Sequence, residues 1–264
     1  MSVICTHKGG FFSTCSVRLK KIVDYINLKK EMPSCVDSSK LFNWYKVKKG
    51  GDVTFDYFQH YDNIKDITTC NKINYHPSHQ FINYVNVDYN NVIPIVKKYF
   101  SPSNNINNII NNIEYKYGLI YDNICVLLYR GNDKIKETKL CGYAEYLKYA
   151  NLLMKNNPNI LFLIQSDETG FIKFMTKKFP DNSFYFKDEI RHIKKSKSTV
   201  DKIKGNKNCE YSKNYLAITI IMSKCKYVLC GSGNCSIWVM FYRENNDNVC
   251  QYLKGKWHNT IKSI

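Results

Sequence analysis

The strongest constraint on the fold is an apolar run at residues 124–129 that breaks abruptly into a cationic, polar loop at residues 130–134. An apolar run of this length before a turn predicts a strand buried on both faces of a sheet. A helical pattern follows at about residues 143–155. Because ligands of open α/β sheets bind at the carboxyl ends of strands, Arg130 is placed to meet a ligand phosphate. The alternative is a plain surface turn formed by residues 131–133.

The second half of the chain repeats this order of strand and helix. The pattern predicts strands at residues 159–165, 183–186 and 227–230, and helices at residues 169–178, 211–224 and 237–243. Strands that alternate with helices predict an α/β fold with a mostly parallel, doubly wound sheet. A helix at residues 106–117 that ends at Gly118 marks the predicted boundary between a domain of residues 1–118 and one of residues 119–264.

The first half has a weaker pattern, in which a short strand, a loop with Gly9 and Gly10, and a helix at residues 15–29 come first. Glycines let the backbone approach a ligand, and a helix N-terminus attracts anions, although an ordinary strand-to-helix turn explains the loop equally well. The remaining predictions are strands at 33–37 and 52–58, a helix at 39–46, irregular structure at 59–90, and a helix at 91–100 interrupted near Pro94.

Three loops of the second half leave the carboxyl ends of predicted parallel strands, at residues 130–134, 166–168 and 231–236. Topology alone brings such loops to one rim of the sheet. The last loop combines small residues, the Ser232 and Ser236 hydroxyls and a helix N-terminus, which suits a diphosphate. Asp167 or Glu168 would bind the ribose hydroxyls or the base of a nucleotide. The alternative for this acidic pair is a helix N-cap.

The net charge of +17 fits nucleic acid, anionic membrane surfaces or phosphorylated small molecules as ligands. The lysines are scattered, however, so codon bias that places them on the solvated surface explains the charge equally well. Only four of the 39 basic residues are arginines: Arg18, Arg130, Arg191 and Arg243. An arginine that remains under such a bias indicates a task that lysine cannot perform, such as bidentate binding of phosphate.

The eleven cysteines are unevenly spaced and include no CxxC pair, which predicts free thiols in a reducing, cytoplasmic protein. Cys125, Cys225 and Cys230 are predicted core residues. No apolar run has the length of a signal peptide core or of a membrane span. The pair His76 and His79 has no further metal ligands at a suitable spacing, so a structural or surface role is favoured over a zinc site.

Four segments together resemble motifs of one enzyme family. Residues 129–134, Tyr-Arg-Gly-Asn-Asp-Lys, resemble the arginine motif of the fucosyltransferase-like GT-B glycosyltransferases, the α1,6- and O-fucosyltransferase group. Residues 222–236 resemble the later motif of that group, which joins a helix end, a strand and a serine-rich donor loop. Residues 166–168 are similar to its short acidic motif, and residues 9–13 to its first glycine loop. The Asn- and Lys-rich composition also resembles that of proteins from large DNA viruses or AT-rich bacteria.

The resemblance implies two Rossmann-like halves that face a central cleft, with the acceptor on the first half and the nucleotide sugar on the second. It implies GDP-fucose as the donor and an arginine, here Arg130, that contacts its diphosphate. The donor-binding positions it implies are Gly9, Gly10, Phe11, Asn132, Lys134, Asp167, Glu168, Ser232, Gly233, Asn234 and Ser236. Three positions depart from the family pattern: Leu128 replaces a histidine, Gly131 an arginine, and Ile218 the aspartate that reads guanine. Glu210 and Asn214 are the candidates to replace that aspartate.

The predicted reaction is inverting transfer of a sugar to a hydroxyl of a glycan or protein acceptor. No DxD-type motif lies at a suitable strand end, so no metal or other cofactor is expected. The base that deprotonates the acceptor is Asp133, Glu137 or His7, and the sequence does not choose between them. The alternative functions are a non-catalytic, basic Rossmann-like module that binds nucleic acid or phosphorylated ligands, and a degenerate transferase that still binds donor.

Overall fold

The computed structural model describes residues 2–46, 51–63, 72–188 and 192–262. Arg191 therefore lies outside the described residues. The strands are β1 Ser2–Thr6, β2 Cys35–Lys40, β3 Ile124–Tyr129, β4 Leu161–Ser166, β5 Ser183–Phe184, β6 Tyr227–Gly231, β7 Val249–Leu253 and β8 Lys256–Asn259. The α-helices are α1 Phe11–Lys29, α2 Thr54–Tyr57, α3 Tyr89–Tyr99, α4 Asn104–Tyr117, α5 Tyr143–Asn156, α6 Thr169–Lys178, α7 Val200–Lys204, α8 Asn208–Lys224 and α9 Asn234–Arg243.

Six strands form the main sheet in the order β5-β4-β3-β6-β7-β8. All neighbours are parallel except β7 and β8, which pair antiparallel. The prediction of an α/β fold with a mostly parallel sheet is therefore confirmed, and the strand order is compatible with a Rossmann-like fold. After β3 the chain adds β4 and β5 on one side, and it then returns to add β6 and β7 on the other. The switch point between β3 and β6 is where doubly wound sheets bind ligands.

Strand β3 lies at the centre of this sheet, and all six of its residues are buried. Alternate side chains point to opposite faces. Val126 and Leu128 belong to a core shared with α8, α9 and the first half of the chain, whereas Leu127 and Tyr129 belong to a core shared with α5 and α6. The sheet is thus a middle layer between helices, which explains why the strand is continuously apolar.

In the described part of the first half, β1 and β2 form a two-stranded parallel sheet connected through α1. Arg18 of α1 is fully buried and joins this unit to α3. Its Nε donates to Ser38 Oγ at 3.0 Å and its Nη1 to the carbonyl oxygen of Tyr99 at 2.7 Å. Burial lowers the pKa of Arg18. The guanidinium serves as a multiple donor inside the core, so its role is structural.

Two predictions for the first half are wrong. The predicted strand at residues 52–58 is helix α2, because the Asp52 carboxylate accepts hydrogen bonds from the backbone N–H groups of Thr54 and Ser38 and thereby fixes a helical turn. The predicted helix at residues 39–46 is instead the end of β2 followed by tight turns, with Phe42 at a φ of 55°. The first error comes from a contact between α2 and β2, and the second from local turns that close within residues 38–45.

Several boundaries differ from those predicted. Helices α1 and α9 begin at Phe11 and Asn234, earlier than expected, and α3 continues through Pro94 without interruption. Helix α7 and strands β7 and β8 were not predicted at all. Gly118 ends α4 in the left-handed conformation, with a φ of 55°, as expected for a helix C-cap. The division of the chain into domains at this glycine stays a prediction.

All cysteines within the described ranges are free thiols, and Cys125, Cys225 and Cys230 are buried as predicted. His76 and His79 together cap the short 3-10 helix Pro77–Phe81, which is a structural role. Across the described ranges, no helix combines the length and the apolar composition that crossing a membrane requires.

Candidate functional site

A cavity of about 360 Å³ lies where the carboxyl ends of β3 and β4 meet the first turns of α1 and α9. Ten of the residues predicted for the site line it: His7, Gly9, Gly10, Phe11, Arg130, Asp133, Lys134, Glu137, Asp167 and Asn234. The five other predicted residues do not line it: Asn132, Glu168, Ser232, Gly233 and Ser236. The structure therefore brings the loop of the first half and the rim of the second half into one cavity.

Arg130 is held in a fixed position on the wall of this cavity. Its Nε donates to Asp167 Oδ2 at 2.9 Å, and its Nη1 donates to the Tyr215 hydroxyl at 3.0 Å. Its Nη2 lies 3.7 Å from Asp133 Oδ1. Burial alone would lower the pKa of Arg130, but Tyr215, Asp167 and Asp133 together hold that pKa well above its ordinary value. The guanidinium is therefore a permanent cation whose orientation is set before any ligand binds.

The carboxylate of Asp167 is used to build the loop that carries Arg130. Its Oδ1 accepts from the backbone N–H of Gly131 at 2.8 Å, while its Oδ2 accepts from Arg130. The Asn132 amide donates to the Asp167 backbone carbonyl at 2.7 Å, and its oxygen accepts from the backbone N–H of Ser196. Asp167 and Asn132 thus fix the shape of the arginine loop from within the protein.

Glu168 is completely buried beneath the same loop. Its Oε1 accepts from the backbone N–H of Asn132 at 2.8 Å, and its Oε2 accepts from the Tyr143 hydroxyl at 2.5 Å. A Cβ atom at Gly131 would lie 2.0 Å from Glu168 Oε1, so no larger residue fits at that position. Glu168 occupies the N-cap position of α6, but its side chain makes no capping hydrogen bond. Glu168 therefore supports the arginine loop rather than capping the helix or facing a ligand.

The loop before α9 turns its hydroxyls and the backbone N–H of Ser232 toward the protein, where that N–H donates to the Tyr252 carbonyl at 3.0 Å. Ser232 Oγ donates to the Tyr252 carbonyl at 2.9 Å and accepts from Gln251 Nε2 at 2.8 Å. Ser236 Oγ donates to the carbonyl oxygen of Gly231 at 2.5 Å. The two predicted hydroxyl ligands of a diphosphate are therefore already engaged. Gly233 does not line the cavity either, and its N–H donates to a tyrosine hydroxyl at 3.3 Å.

Two helix N-termini face the cavity, since Phe11 of α1 and Asn234 of α9 both line it. Neither helix has an acidic residue in its first turn. Each helix N-terminus carries a partial positive charge and unsatisfied N–H groups. Lys134 adds a cation nearby, with its Cε 3.8 Å from where a Cβ of Gly233 would be. This concentration of positive charge and donors suits an anionic group such as a diphosphate.

His7 forms the opposite wall together with the start of α1. Its Nε2 lies 2.9 Å from Ser13 Oγ, so the two side chains are hydrogen-bonded. A Cβ atom at Gly9 would lie 2.5 Å from His7 Nε2, which shows that the imidazole lies directly over this glycine. Burial lowers the pKa of His7 below its ordinary value of 6.5. The imidazole is therefore neutral at pH 7 and can accept a proton.

Three buried polar atoms on residues that line the cavity have no hydrogen-bond partner among the described residues. They are Gln165 Nε2, Gln80 Oε1 and Asp133 Oδ1. Gln165 is only 8% exposed and follows Leu163 on the face of β4 that points toward α8. Buried polar groups without a partner are rare in proteins and indicate a missing ligand or water. Asp133 Oδ1 is paired with the Arg130 guanidinium at 3.7 Å, so the two glutamine amides are the groups that an occupant of the cavity would complete.

Sequence reasoning missed several residues of the site. Tyr215, Ile218 and Met222 line the cavity from one face of α8, a helical spacing that indicates only a core. Ile218 stands where the family pattern has an aspartate and lines the cavity, whereas the two candidates to replace that aspartate, Glu210 and Asn214, do not line it. Asp201 of α7 also lines the cavity, and its carboxylate accepts a hydrogen bond from the Tyr45 hydroxyl at 2.7 Å. The Thr199 N-cap before Asp201 was the available signal for that helix.

Within the described ranges, no group of three or more His, Cys, Asp or Glu side chains is arranged to hold a metal ion. Cys235 is the cysteine that lines the cavity, and burial raises its pKa. The thiol therefore stays protonated at neutral pH and has little nucleophilic character.

No family model matches the chain, and no curated protein sequence matches it. The geometry of the cavity is therefore the basis for assigning a function.

Proposed function

We propose that the protein is an inverting glycosyltransferase with a GT-B-like arrangement, which moves a sugar from a nucleoside-diphosphate sugar to a hydroxyl acceptor. The observation that carries this proposal is the position of Arg130, which lines one cavity together with the first turns of α1 and α9. The volume of about 360 Å³ suits a small-molecule ligand. The walls come from both halves of the chain, as a cleft between a donor side and an acceptor side requires.

In this proposal the diphosphate of the donor binds between Arg130 and the N-terminus of α9. Arg130 is already oriented by Asp167 and Tyr215, so little reorganisation is needed when negative charge develops on the departing diphosphate. Lys134 and the helix N-terminus add positive charge in a partly buried site, where electrostatic interactions are stronger than in water.

The transfer reaction proceeds in one displacement. The acceptor hydroxyl oxygen forms a bond to the anomeric carbon on the face opposite the diphosphate. The bond between that carbon and the diphosphate oxygen breaks, and its electron pair leaves with the nucleoside diphosphate. The hydroxyl proton passes to a base on the protein, and the anomeric configuration inverts.

The contacts favour His7 as that base over the two other candidates. Asp133 forms an ion pair with Arg130 at 3.7 Å, and Glu137 accepts from Lys134 Nζ at 2.5 Å. Both carboxylates are thus already engaged with cations on the protein. His7 is neutral because burial lowers its pKa, and it lies on the wall that faces the acceptor side.

The resemblance favours a GDP-sugar as donor, with GDP-fucose as the first candidate. The nucleobase of the donor would bind in the part of the cavity formed by Leu128 and Gln165 on the sheet and by Ile218 and Met222 on α8. These residues provide apolar walls and one amide without a hydrogen-bond partner. The amide of Gln165 is therefore the group that we expect to contact the edge of the nucleobase.

A thermal-shift screen against GDP-fucose and against UDP- and dTDP-sugars tests the proposal. We expect one of these donors to raise the melting temperature of the wild-type protein, because a ligand that binds only the native state stabilises it. The substitution Arg130→Ala should remove that shift and lower turnover of the donor on the order of 10²–10³-fold. The substitution Arg130→Lys is the matched control, because it keeps a cation beside Asp167 but loses the planar fork.

The outcomes separate the alternative functions. A donor-dependent shift without any turnover would indicate a degenerate transferase. No shift with any nucleotide sugar, together with salt-sensitive binding of single or double strands, would contradict the proposal and support the basic binding module.

A further inference from the structure

A second cavity, of about 470 Å³, lies at the carboxyl ends of β1 and β2. Thr6 and Lys40, which pair in the register of these two strands, both line it. Parallel sheets bind ligands at the carboxyl ends of their strands, and the second cavity lies at this edge of the small sheet. Of the residues that line this cavity, the proposed transfer reaction gives a role to His7 alone.

The side chains around the second cavity are strongly cationic. Lys8, Lys40 and Lys46 line it, and no carboxylate is among the described residues that do so. Carboxylates close in sequence are turned to the backbone: Asp37 accepts from the N–H of Ser39, and Asp52 from that of Ser38. The positive charge of the lysines is therefore not neutralised inside the cavity.

One of the three cations is fixed by the fold. Lys46 Nζ donates to the backbone carbonyl oxygens of Ser39 at 2.5 Å and Gly51 at 2.7 Å, which fixes the ammonium at the wall of the cavity. Since an ammonium has three N–H donors, one remains for a ligand. Lys40 is exposed and extends from the end of β2. The cavity thus combines one preorganised ammonium with the exposed ammonium groups of Lys8 and Lys40.

His7 and Lys8 line both this cavity and the one that contains Arg130. Trp44 lines the cavity that contains Arg130, is 37% exposed, and follows Asn43, which lines the second cavity. Flat, amphipathic side chains of this kind supply large contact area at binding sites. A single ligand that spans both cavities would therefore pass over Trp44 and beside His7.

We infer that the second cavity is an acceptor subsite that binds an anionic group, a phosphate or a carboxylate, carried by an acceptor sugar. This inference rests on the proposed function. The sugar ring packs against Trp44, the anion binds the ammonium groups of Lys40 and Lys46, and the reacting hydroxyl lies beside His7. The substrate class is accordingly a negatively charged saccharide rather than a neutral glycan.

Titration calorimetry of the full chain with three monosaccharides tests the inference. The probes are glucose 6-phosphate, glucuronate and glucose, which share a ring and differ in charge. We expect at least one anionic sugar to bind on the order of tenfold more tightly than glucose, a difference of about 1.4 kcal/mol, because three lysines line the cavity and none of the described lining residues is acidic. Comparison of the two anionic sugars identifies phosphate or carboxylate as the preferred group.

Two variants locate the anion. The substitution Lys40→Glu should abolish the preference for the anionic sugar and leave GDP binding unchanged, whereas Arg130→Ala should weaken GDP binding and leave the anionic sugar unaffected. Lys155→Glu, a charge reversal at an exposed lysine of α5, is the matched control and should change neither.

Three results would overturn the inference. The first is equal affinity for charged and neutral sugars, and the second is an anionic sugar whose binding depends on Arg130 rather than on Lys40. The third is an anionic sugar whose binding is insensitive to Lys40→Glu. A protein that binds the anionic sugar through Lys40 but binds no nucleotide sugar would retain the anion site and contradict the proposed transferase.

Discussion

Two glycine-containing loops lead into helices at the same cavity, and they are built in opposite ways. The loop before α9 turns its Ser232 and Ser236 hydroxyls inward to backbone carbonyls and leaves its helix N-terminus facing the cavity. The loop before α1 places the hydrogen-bonded pair His7 and Ser13 at the cavity wall. The loop before α9 therefore offers a fixed electrostatic environment, and the loop before α1 offers a side chain that can accept a proton.

The largest expected effect is on the side chain of the α1 loop. The substitution His7→Gln keeps a group that can hydrogen-bond to Ser13 but removes the proton acceptor. We expect transfer to fall on the order of 10²–10⁴-fold, with donor affinity unchanged. Steady-state transfer assays and calorimetry with GDP measure the two quantities separately.

The pH profile gives the same prediction an independent check. Because protonated His7 cannot accept a proton, the rate should fall as the pH drops through the pKa of His7, which burial places below 6.5. The rate should stay level at higher pH, and His7→Gln should lose this acid limb. An acid limb that the His7→Gln variant retains would contradict the assignment of His7 as the base.

The second prediction concerns the buried support of the α9 loop. Gln251 is 2% exposed; its Nε2 donates to Ser232 Oγ and to the Ile82 carbonyl, and its Oε1 accepts from the Tyr84 N–H. The substitution Gln251→Leu leaves these partners unsatisfied and should lower the free energy of unfolding by about 3 kcal/mol. Chemical denaturation measures this change, with the exposed Gln59→Leu as the control. If Gln251→Leu and Gln59→Leu lowered the free energy of unfolding equally, Gln251 would not be what holds the α9 loop in position.

The third prediction compares one glycine from each loop. Gly9→Ala brings a Cβ within 2.5 Å of His7 Nε2, so the imidazole must move and transfer should fall on the order of 10–10²-fold. Gly233→Ala meets only Lys134 Cε at 3.8 Å, an ordinary contact, and its backbone is extended with a φ of 161°. We expect Gly233→Ala to retain activity and stability. Equal losses in the two variants would remove the distinction between the loops.

The smallest effect is expected at the serine hydroxyls. Ser232→Ala should lower the free energy of unfolding by about 1 kcal/mol, because it removes hydrogen bonds to Tyr252 and Gln251. Its affinity for GDP should stay the same as in the wild type. A large loss of GDP affinity without a loss of stability would show that the hydroxyl turns outward to bind phosphate.

The same contrast separates what the sequence could predict from what it could not. Strand β3 was predicted with its observed bounds because a centrally placed strand is apolar along its whole length. The inward orientation of Ser232 depends on Gln251 of β7, a short strand with a buried polar residue that gives no clear pattern. Helix α2 was predicted as a strand because the decisive contact of Asp52 joins it to β2.

The scarcity of arginine was informative, but not for phosphate binding alone. Arg18 donates to a hydroxyl and a carbonyl inside the core, and Arg243 donates to the carbonyl oxygens of Ser223, Cys225 and Lys226. Arg130 is the arginine that lines the cavity of about 360 Å³. The arginines of this lysine-rich chain therefore stand where one side chain must donate several hydrogen bonds. The sheet topology, and not the composition, indicated that Arg130 lies at a ligand-binding edge.

A crystal structure of the protein with GDP tests the central claim most directly. We predict that diphosphate oxygens lie within about 3 Å of the Arg130 guanidinium and of the first backbone N–H groups of α9. The guanine ring should lie between the sheet and α8. A diphosphate bound elsewhere, with the Arg130 cavity unchanged, would contradict the account.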